Sequence, residues 1–559
     1  MPSSTIPRAA RWLVVLVCLY ASTFVLAQGT GGRITGRVTD PTQAVLANAK
    51  VTLVNEATGV SRDAETNETG DYNFVQVPVG NYRLEFDLNG FKKNIRRGVS
   101  VDINQVVTLN MVLQVGETRE IVDVTSEAPL VDTTTTQLGA VVNDRAIVSL
   151  PLNQRDTYQF LSLQPGVQSQ VGADLYVGSD NAGSVSVNGG RGRANNFNVN
   201  GGDANDMFAN LPTVQPSPDS IEEFRMVTNA FDAEYGRNSG SVVNVVTKSG
   251  TNQFHGNLYD FFRNKVLNAQ GFFDSTKASF IQNQFGGTFG GPIKKDKTFF
   301  FASYEGRRTV QGQSGDTVTV PTDDERNGIF GGSFDGTISD SFVAQVLQGR
   351  TGCESAINAA GGSIPDPNDP GNYGDNPIPW STLFPADLSG TTTIPVACQD
   401  PVAVDLMNKY VPHANPSTGL FQAVLNARER QDQFTVRFDH RINDKQNFSA
   451  YYYFTDENLF NPFNNFQAAG ANVPGFGASI KQRFQQYNLT HTWTLSNSLV
   501  NEFHFTYMRE AQGTNGHSEH TDLVTNSCSA SLASICFTGV SDSSAINDTG
   551  FPRLGIQPG

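Results

Sequence analysis

The chain has 559 residues, a formal net charge of −15 and a mean hydropathy of −0.30. That length implies several domains, the acidic balance argues against a nucleic-acid partner, which needs a basic face, and the polar average excludes a bundle of membrane helices. Phe (38) and Gly (53) are abundant while charged residues make up only 17%, so two classes stay open: a secreted all-β protein, or an outer-membrane barrel whose strands hide a lipid face in an alternation that averages out.

Arg8 and Arg11 precede an apolar run from Trp12 to Leu26, and Val25 and Ala27 stand where a signal peptidase reads small residues. Residues 1–27 are expected to be a cleaved signal peptide, because the run is short of the roughly 20 residues that span a bilayer. Val17 before Cys18 argues against a lipoprotein. Export places Cys353, Cys398, Cys528 and Cys536 in an oxidising compartment.

From Arg33 to Gly116 the period is two. Ile34, Gly36 and Val38 alternate with Thr35, Arg37 and Thr39; Tyr82, Leu84, Phe86 and Leu88 alternate with Arg83, Glu85 and Asp87. Val107, Leu109, Met111 and Leu113 repeat the pattern, and turn pairs such as Asp40-Pro41, Thr69-Gly70 and Asn89-Gly90 punctuate it. Residues 28–116 therefore read as a small β-sandwich, transthyretin- or Ig-like, of about seven strands. The set Gly36-Arg-Val38-Thr-Asp40, Ala49-Lys-Val51, Gly70-Asp-Tyr72-Asn-Phe74, Pro78-Val-Gly80-Asn-Tyr82 and Gly90-Phe91 resembles the carboxypeptidase regulatory-like domain. The resemblance implies a carbohydrate-binding-like fold. No cluster of exposed Trp platforms for sugar is visible, so a spacer module is the expectation. None of the seven histidines begins H-x-x-E or H-E-x-x-H, so no peptidase zinc site is expected.

Glu120-Ile121-Val122-Asp123-Val124 is short and β-prone. It reads either as a further sandwich strand or linker, or as an extended segment that a partner captures at a sheet edge; its position between two modules favours capture. Next come Val185-Ser-Val-Asn188-Gly-Gly-Arg191-Gly192, Asn195-Asn-Phe-Asn-Val-Asn200-Gly201, Ser220-Ile-Glu-Glu223-Phe224, Ala233-Glu-Tyr235-Gly236 and Gly240-Ser-Val-Val-Asn-Val-Val-Thr-Lys248. This run, continuing through Asn283-Gln-Phe-Gly286 and Tyr304-Glu-Gly306, resembles the TonB-dependent outer-membrane receptors, in particular their Oar-like branch. The resemblance implies an α+β plug over residues 117–252 that opens with a TonB-box-like segment. Asn200 departs from the family's usual Asp; it keeps the turn and carries no charge. Glu222, Glu223, Arg225, Glu234 and Arg237 are expected to meet a polar, hydrated barrel wall if they are not simply solvated.

Beyond Lys248, aromatic and charged residues alternate, as in Phe434-Thr-Val-Arg-Phe-Asp-His-Arg-Ile442. Strands are expected near 254–262, 282–291, 298–307, 433–442, 447–455, 484–495 and 499–510. Links after the second, fourth and sixth are short and the others long, the outer-membrane rule of short periplasmic turns and long outside loops. A soluble sandwich would also carry an apolar face, yet it needs no such asymmetry. The longest link holds twelve acidic and three basic residues between positions 320 and 420 and is expected to be a solvated loop without a helix or strand array. Each cysteine pair, Cys353–Cys398 and Cys528–Cys536, falls within one loop and is expected to be bridged. Seven strands are an odd number, so residues 253–559 are expected to be the first part of a barrel, and the chain a fragment.

The sequence thus reads as mainly β: a signal peptide, a sandwich, a plug and a partial transmembrane barrel. What the resemblance implies is an exported transporter or receptor lying in outer-membrane lipid. It would take up a small scarce solute (siderophore-, vitamin- or oligosaccharide-like) by coupling to a TonB-type protein of the inner membrane. No catalytic residue, metal or cofactor is expected: there is no Gly-Lys phosphate loop, no G-x-G-x-x-G and no G-x-S-x-G. The alternative is a cell-surface glycan-binding or adhesion protein.

Overall fold

The computed structural model describes residues 29–518 except 117–120, 126–136, 151, 153–154, 170–183, 208–209, 232–234, 236–237, 271–276, 333–335, 370, 416–418, 464–473, 475 and 497–498. The expected signal peptide, Glu120, Glu234, Gly236, Arg237, Cys528 and Cys536 lie outside the described residues.

The first unit is a two-layer sandwich. Its strands are β1 (Gly32–Thr39), β2 (Lys50–Asn55), β3 (Ser61–Glu65), β4 (Asp71–Val77), β5 (Gly80–Asp87), β6 (Lys93–Val101), β7 (Val106–Thr108), β8 (Met111–Val112) and β9 (Ile121–Thr125). One sheet runs β4–β1–β7 with β8 also on β1; the other runs β3–β2–β5–β6–β9. The period of two sends Ile34, Val38, Tyr72, Phe74, Leu84, Phe86, Val107 and Leu113 into one core. Gly36 sits where β1 crosses residue 109: a Cβ there would lie 1.9 Å from the Leu109 carbonyl oxygen, so only glycine allows the approach. The Tyr72 hydroxyl donates to that same oxygen at 2.7 Å.

The segment read as free for capture is paired. β9 lies parallel to β6, with Lys93 opposite Ile121 and Arg97 opposite Thr125. It ends its sheet among the described residues, and its outer side meets no further strand there.

The second unit holds β10 (Leu138–Asn143), β11 (Val167–Ser169), β12 (Val185–Val187), β13 (Asn196–Val199), β14 (Gly202–Asp203), β15 (Ile221–Asn229) and β16 (Val242–Thr247). Its main sheet runs β10–β15–β16–β13–β14, with short helical segments Asp144–Ser149 and Thr157–Leu163 beside it. β16 is an apolar run broken only by Asn244 and is buried along its whole length, as a strand covered on both faces must be.

The third unit is one antiparallel sheet of seven long strands in chain order. They are β17 (His255–Asn264), β18 (Phe280–Lys294), β19 (Thr298–Ser314), β20 (Val424–Asn443), β21 (Gln446–Asn461), β22 (Phe476–Ser496) and β23 (Leu499–Ser518). All seven positions expected from alternation are occupied. The strands are longer than the apolar stretch of each, because the pairing runs on past it: β19 and β20 stay in register from Thr298–His440 to Ser314–Val424.

One expectation fails at the long link. Residues 315–423 are a folded unit, not a solvated loop. They contain helices Ser341–Gly349, Cys353–Ala359 and Pro401–Tyr410 and three short strand pairs. Ile338, Ala344, Leu347, Ile357, Leu383 and Phe384 pack with Cys353 and Cys398 into a core of their own. Cys353 and Cys398 form a disulfide. The acidic residues hid this unit because its apolar positions are few and irregularly spaced, and the cross-link supplies what so small a core lacks.

Candidate functional site

The second unit meets both neighbours, and the residues at those two contacts form the candidate site. Against the seven-stranded sheet the contact is polar in most places. Arg437 donates to the Thr247 carbonyl at 2.6 Å, Gln486 to that of Asp203 at 2.7 Å and Asn488 to that of Val199 at 2.8 Å. These residues alternate with exposed apolar ones, so the charged and amide face of the sheet turns inward. The contact is not wholly wet, however. Tyr451, Tyr453 and Phe484 of the sheet join Tyr158, Phe160, Phe197 and Phe224 of the second unit in one buried cluster. The expectation of a purely hydrated wall is corrected there, because aromatic side chains also occur on the inner face.

Arg155 is the centre of the polar contact. Its backbone is in the left-handed region (φ 57°). Its guanidinium pairs with Asp219 and reaches Glu305 of β19 at 3.4 Å. It also lies 4.5 Å from the centroids of both the Tyr259 and Phe261 rings, a cation–π arrangement. Glu305 accepts in addition from Tyr259 (2.7 Å), Gln284 (2.9 Å) and Gln433 (3.0 Å). Asn257 donates to Asp219. A partly buried cation is thus matched by two buried carboxylates, each with further donors, which is what a charge cluster shielded from water requires. No sequence signal singled out Arg155, since it lies in neither a periodic run nor a quoted motif.

Of the charges expected at the wall, Glu222 lies within electrostatic reach of Arg437 on the sheet, while two others go elsewhere. Glu223 and Arg225, on β15, are buried against the sandwich. The Ile103 backbone N–H donates to both Glu223 carboxylate oxygens at 3.0 and 3.1 Å, and Arg225 donates to the Ile103 carbonyl. Asn104 donates to the Tyr235 hydroxyl. Burial, reinforced by Asp102, pushes the Glu223 carboxyl up to about 8. Burial likewise raises Glu222, with Asp144 adding and Lys248 and Arg437 opposing.

The remaining motif residues are mostly structural in place. Asn200 and Gly201 join β13 to β14 with φ of 49° and 78°, the positive values at both central residues that a type I′ hairpin needs. Asn200 accepts from the Thr247 N–H at 3.0 Å and donates to its hydroxyl at 2.9 Å. Arg191 is exposed and Gly192 buried in the preceding turn. These residues do not gather around one point. No group of three or more His, Cys, Asp or Glu suited to a metal occurs among the described residues.

The sandwich rests at the end of the sheet where strand links are short. Asn252 donates to the Thr58 carbonyl and to Asp296, both at 2.7 Å. Arg441 donates to the Ser61 carbonyl at 3.1 Å, and Arg62 reaches the Thr494 hydroxyl at 3.5 Å. The disulfide-bonded unit is inserted between β19 and β20, at the opposite end of those strands.

An outer-membrane β-barrel domain model matches residues 246–558, and a carboxypeptidase regulatory-like domain model matches residues 33–114. Over 280 residues the chain is 29% identical to the TonB-dependent transporter Oar of Myxococcus xanthus, across 47% of this chain and 25% of that protein. The matched stretch is thus about a quarter of that relative's length. Among solved structures it is similar to the outer-membrane transporter YddB of Escherichia coli (TM-score 0.40, 10% identity, 69% of this chain and 40% of that one). It is also similar to the ferric enterobactin receptor PfeA of Pseudomonas aeruginosa, a Q482A mutant solved with enterobactin (TM-score 0.35, 12% identity, 67% and 41%). With a family model covering more than half of its residues, this chain belongs to the outer-membrane β-barrel domain family, is located in the outer membrane, and is Oar-like in sequence.

Proposed function

We propose that the protein works as a TonB-dependent outer-membrane transporter or receptor for a small scarce solute, siderophore-, vitamin- or oligosaccharide-like. In this reading residues 28–116 are a periplasmic regulatory-like sandwich. Residues 117–252 are the coupling segment and plug, and residues 253–559 carry barrel strands and outside loops.

One observation carries it. Phe503, Phe505, Tyr507, Leu489, Trp493, Leu495 and Val436 stand exposed on one face of the sheet, while the other face holds Gln486, Asn488, Thr435, Glu305 and Arg437 against the second unit. A soluble sandwich would bury its apolar face; a transmembrane barrel turns it to lipid and keeps its lumen polar. A unit filling the lumen is what a wide barrel needs to stay closed to free diffusion.

The mechanism follows from these parts. Outside loops bind the solute, and the plug senses it through its contacts with the wall. The segment Ile121 to Val124 is taken by the energy-coupling protein as an added strand. Pulling on it remodels the plug until the Arg155 cluster separates. No covalent step is involved, so no residue is catalytic. Deleting residues 120–126 is expected to abolish energy-dependent uptake, measured over a panel of labelled siderophores, cobalamin and oligosaccharides, while surface binding persists. Undiminished uptake by the deleted protein would remove this reading.

A further inference from the structure

We propose that the sandwich stores the coupling strand and latches the plug in a single arrangement, so that withdrawing β9 from β6 frees the turn at Ile103 from Glu223 and Arg225. The proposal rests on the reading of Ile121 to Val124 as coupling segment and of the second unit as plug. It adds a place for that segment before capture and a route for the pull.

Storage is seen in the pairing. β9 is a five-residue strand held on one side only, in parallel register with β6 from Lys93–Ile121 to Arg97–Thr125. Parallel pairing is slightly weaker per residue than antiparallel, and short edge elements open at the lowest cost. β9 is therefore a strand that can leave its sheet at low cost. Its departure strips β6 of one neighbour and exposes a row of backbone groups.

The latch lies at the other end of the same strand. β6 ends at Val101 and leads directly into the turn 102–105. That turn is tied to the sandwich: the Asp102 N–H donates to the Gln105 side chain at 3.0 Å, and the Arg33 N–H donates to the Gln105 carbonyl at 2.7 Å. Ile103 is fully buried, yet it belongs to neither the sandwich core nor the plug core. It is buried between the two units. Glu223 holds its N–H and Arg225 holds its carbonyl, so one residue of the sandwich is gripped at both backbone groups by adjacent same-face side chains of β15.

Those two residues also sit opposite the plug's edge strand. Glu223 pairs with Asn143 and Arg225 with Val141 of β10, and β10 is the first plug strand after β9 in the chain. A pull on β9 thus reaches β15 by two routes, along the chain into β10 and through β6 into the Ile103 turn. Moving the strand without freeing Ile103 would leave β15 held while β10 is drawn from it; freeing both lets the plug edge open.

The test uses the full chain in detergent, with the purified periplasmic domain of a TonB-type protein as probe. Hydrogen exchange is followed in a peptide covering Asp102 to Gln105. Saturating probe is expected to raise exchange there by at least tenfold. Bridging the stored pair with R97C/T125C is expected to abolish that rise, and reductant to restore it. E223A/R225A is expected to show the fast exchange with no probe present, in a variant that leaves β9 and β6 untouched. Failure of R97C/T125C to cross-link, bound probe with unchanged exchange at 102–105, or slow exchange in E223A/R225A would each overturn the latch. A chain lacking residues 120–126 that still binds the probe would be a different failure, that of the coupling-segment reading on which the latch rests.

Discussion

At the scale of single residues, Arg155 and Glu223 show two ways to hold a buried charge. Arg155 is matched by Asp219 and Glu305, whose side chains are only 6% and 4% exposed. Removing the cation leaves two carboxylates facing each other without solvent, and breaking a buried pair in this way costs about 3–5 kcal/mol. R155A is therefore expected to make residues 138–247 protease-sensitive in detergent and to lower the unfolding temperature. R155A/E305Q should recover part of the loss, and R155K less than wild type, since ammonium cannot reproduce the planar stack on Tyr259 and Phe261. Glu223 behaves oppositely. Its carboxyl is raised to about 8 by burial and by Asp102, against the Ile103 N–H and Arg225, with Glu222 adding a little. A group raised on folding contributes fully below its unfolded value and loses that contribution as pH rises through the folded one. The contact between sandwich and second unit should thus weaken between pH 4.5 and about 8. Protection of the Ile103 amide, measured across that range, should fall in wild type and stay flat in E223Q.

At the scale of elements, the inserted unit 315–423 depends on its cross-link. On the chain-entropy model a bridge of sequence separation 45 contributes about 4 kcal/mol, large beside what so small a core supplies. C353S/C398S is expected to render 315–423 sensitive to protease while the seven-stranded sheet stays resistant; equal resistance in both proteins would show that the helices and short strand pairs suffice. Strand positions in the sheet were legible because each strand has one apolar and one polar face, and a period of two survives any loop length. The inserted unit was not legible, since even its longest helices are only seven to ten residues long and its apolar positions follow no sustained period. β9 was legible as a strand, but its partner was not: Ile121 to Thr125 carries the same pattern whether it pairs with β6 or with another protein.

At the scale of the whole molecule, the sheet's two faces specify the solvent on each side. Phe505 is half exposed on the outer face, whereas Thr492, on the same side of the ladder as Glu502, faces inward beside the sandwich end. A lysine at a lipid-facing midplane position costs about 2–4 kcal/mol, and a lumen position little. F505K is therefore expected to leave the protein extractable from membranes by urea, and T492K to leave it inserted; equal behaviour would mean that the outer face does not meet lipid. The three units also stack in one direction. The sandwich contacts the short-link end of the sheet at Asn252, Arg441 and Thr494, and the disulfide-bonded unit occupies the far end.

The sequence by itself determined the local structure and its class: the sandwich core at Ile34, Leu84 and Phe86, the seven sheet strands and the turn at Asn200–Gly201. Each of these depends on a period of two, a turn residue with positive φ or a composition, all properties of residues near one another in the chain. Only the tertiary structure decided which charges face which neighbour. Glu223 and Arg225 grip the sandwich instead of the wall, and Arg155, inconspicuous in sequence, meets Asp219 64 positions away and Glu305 150 positions away. Such contacts depend on how three units dock, and docking is set by burial and charge matching between surfaces whose residues are far apart in the chain, which no local pattern records.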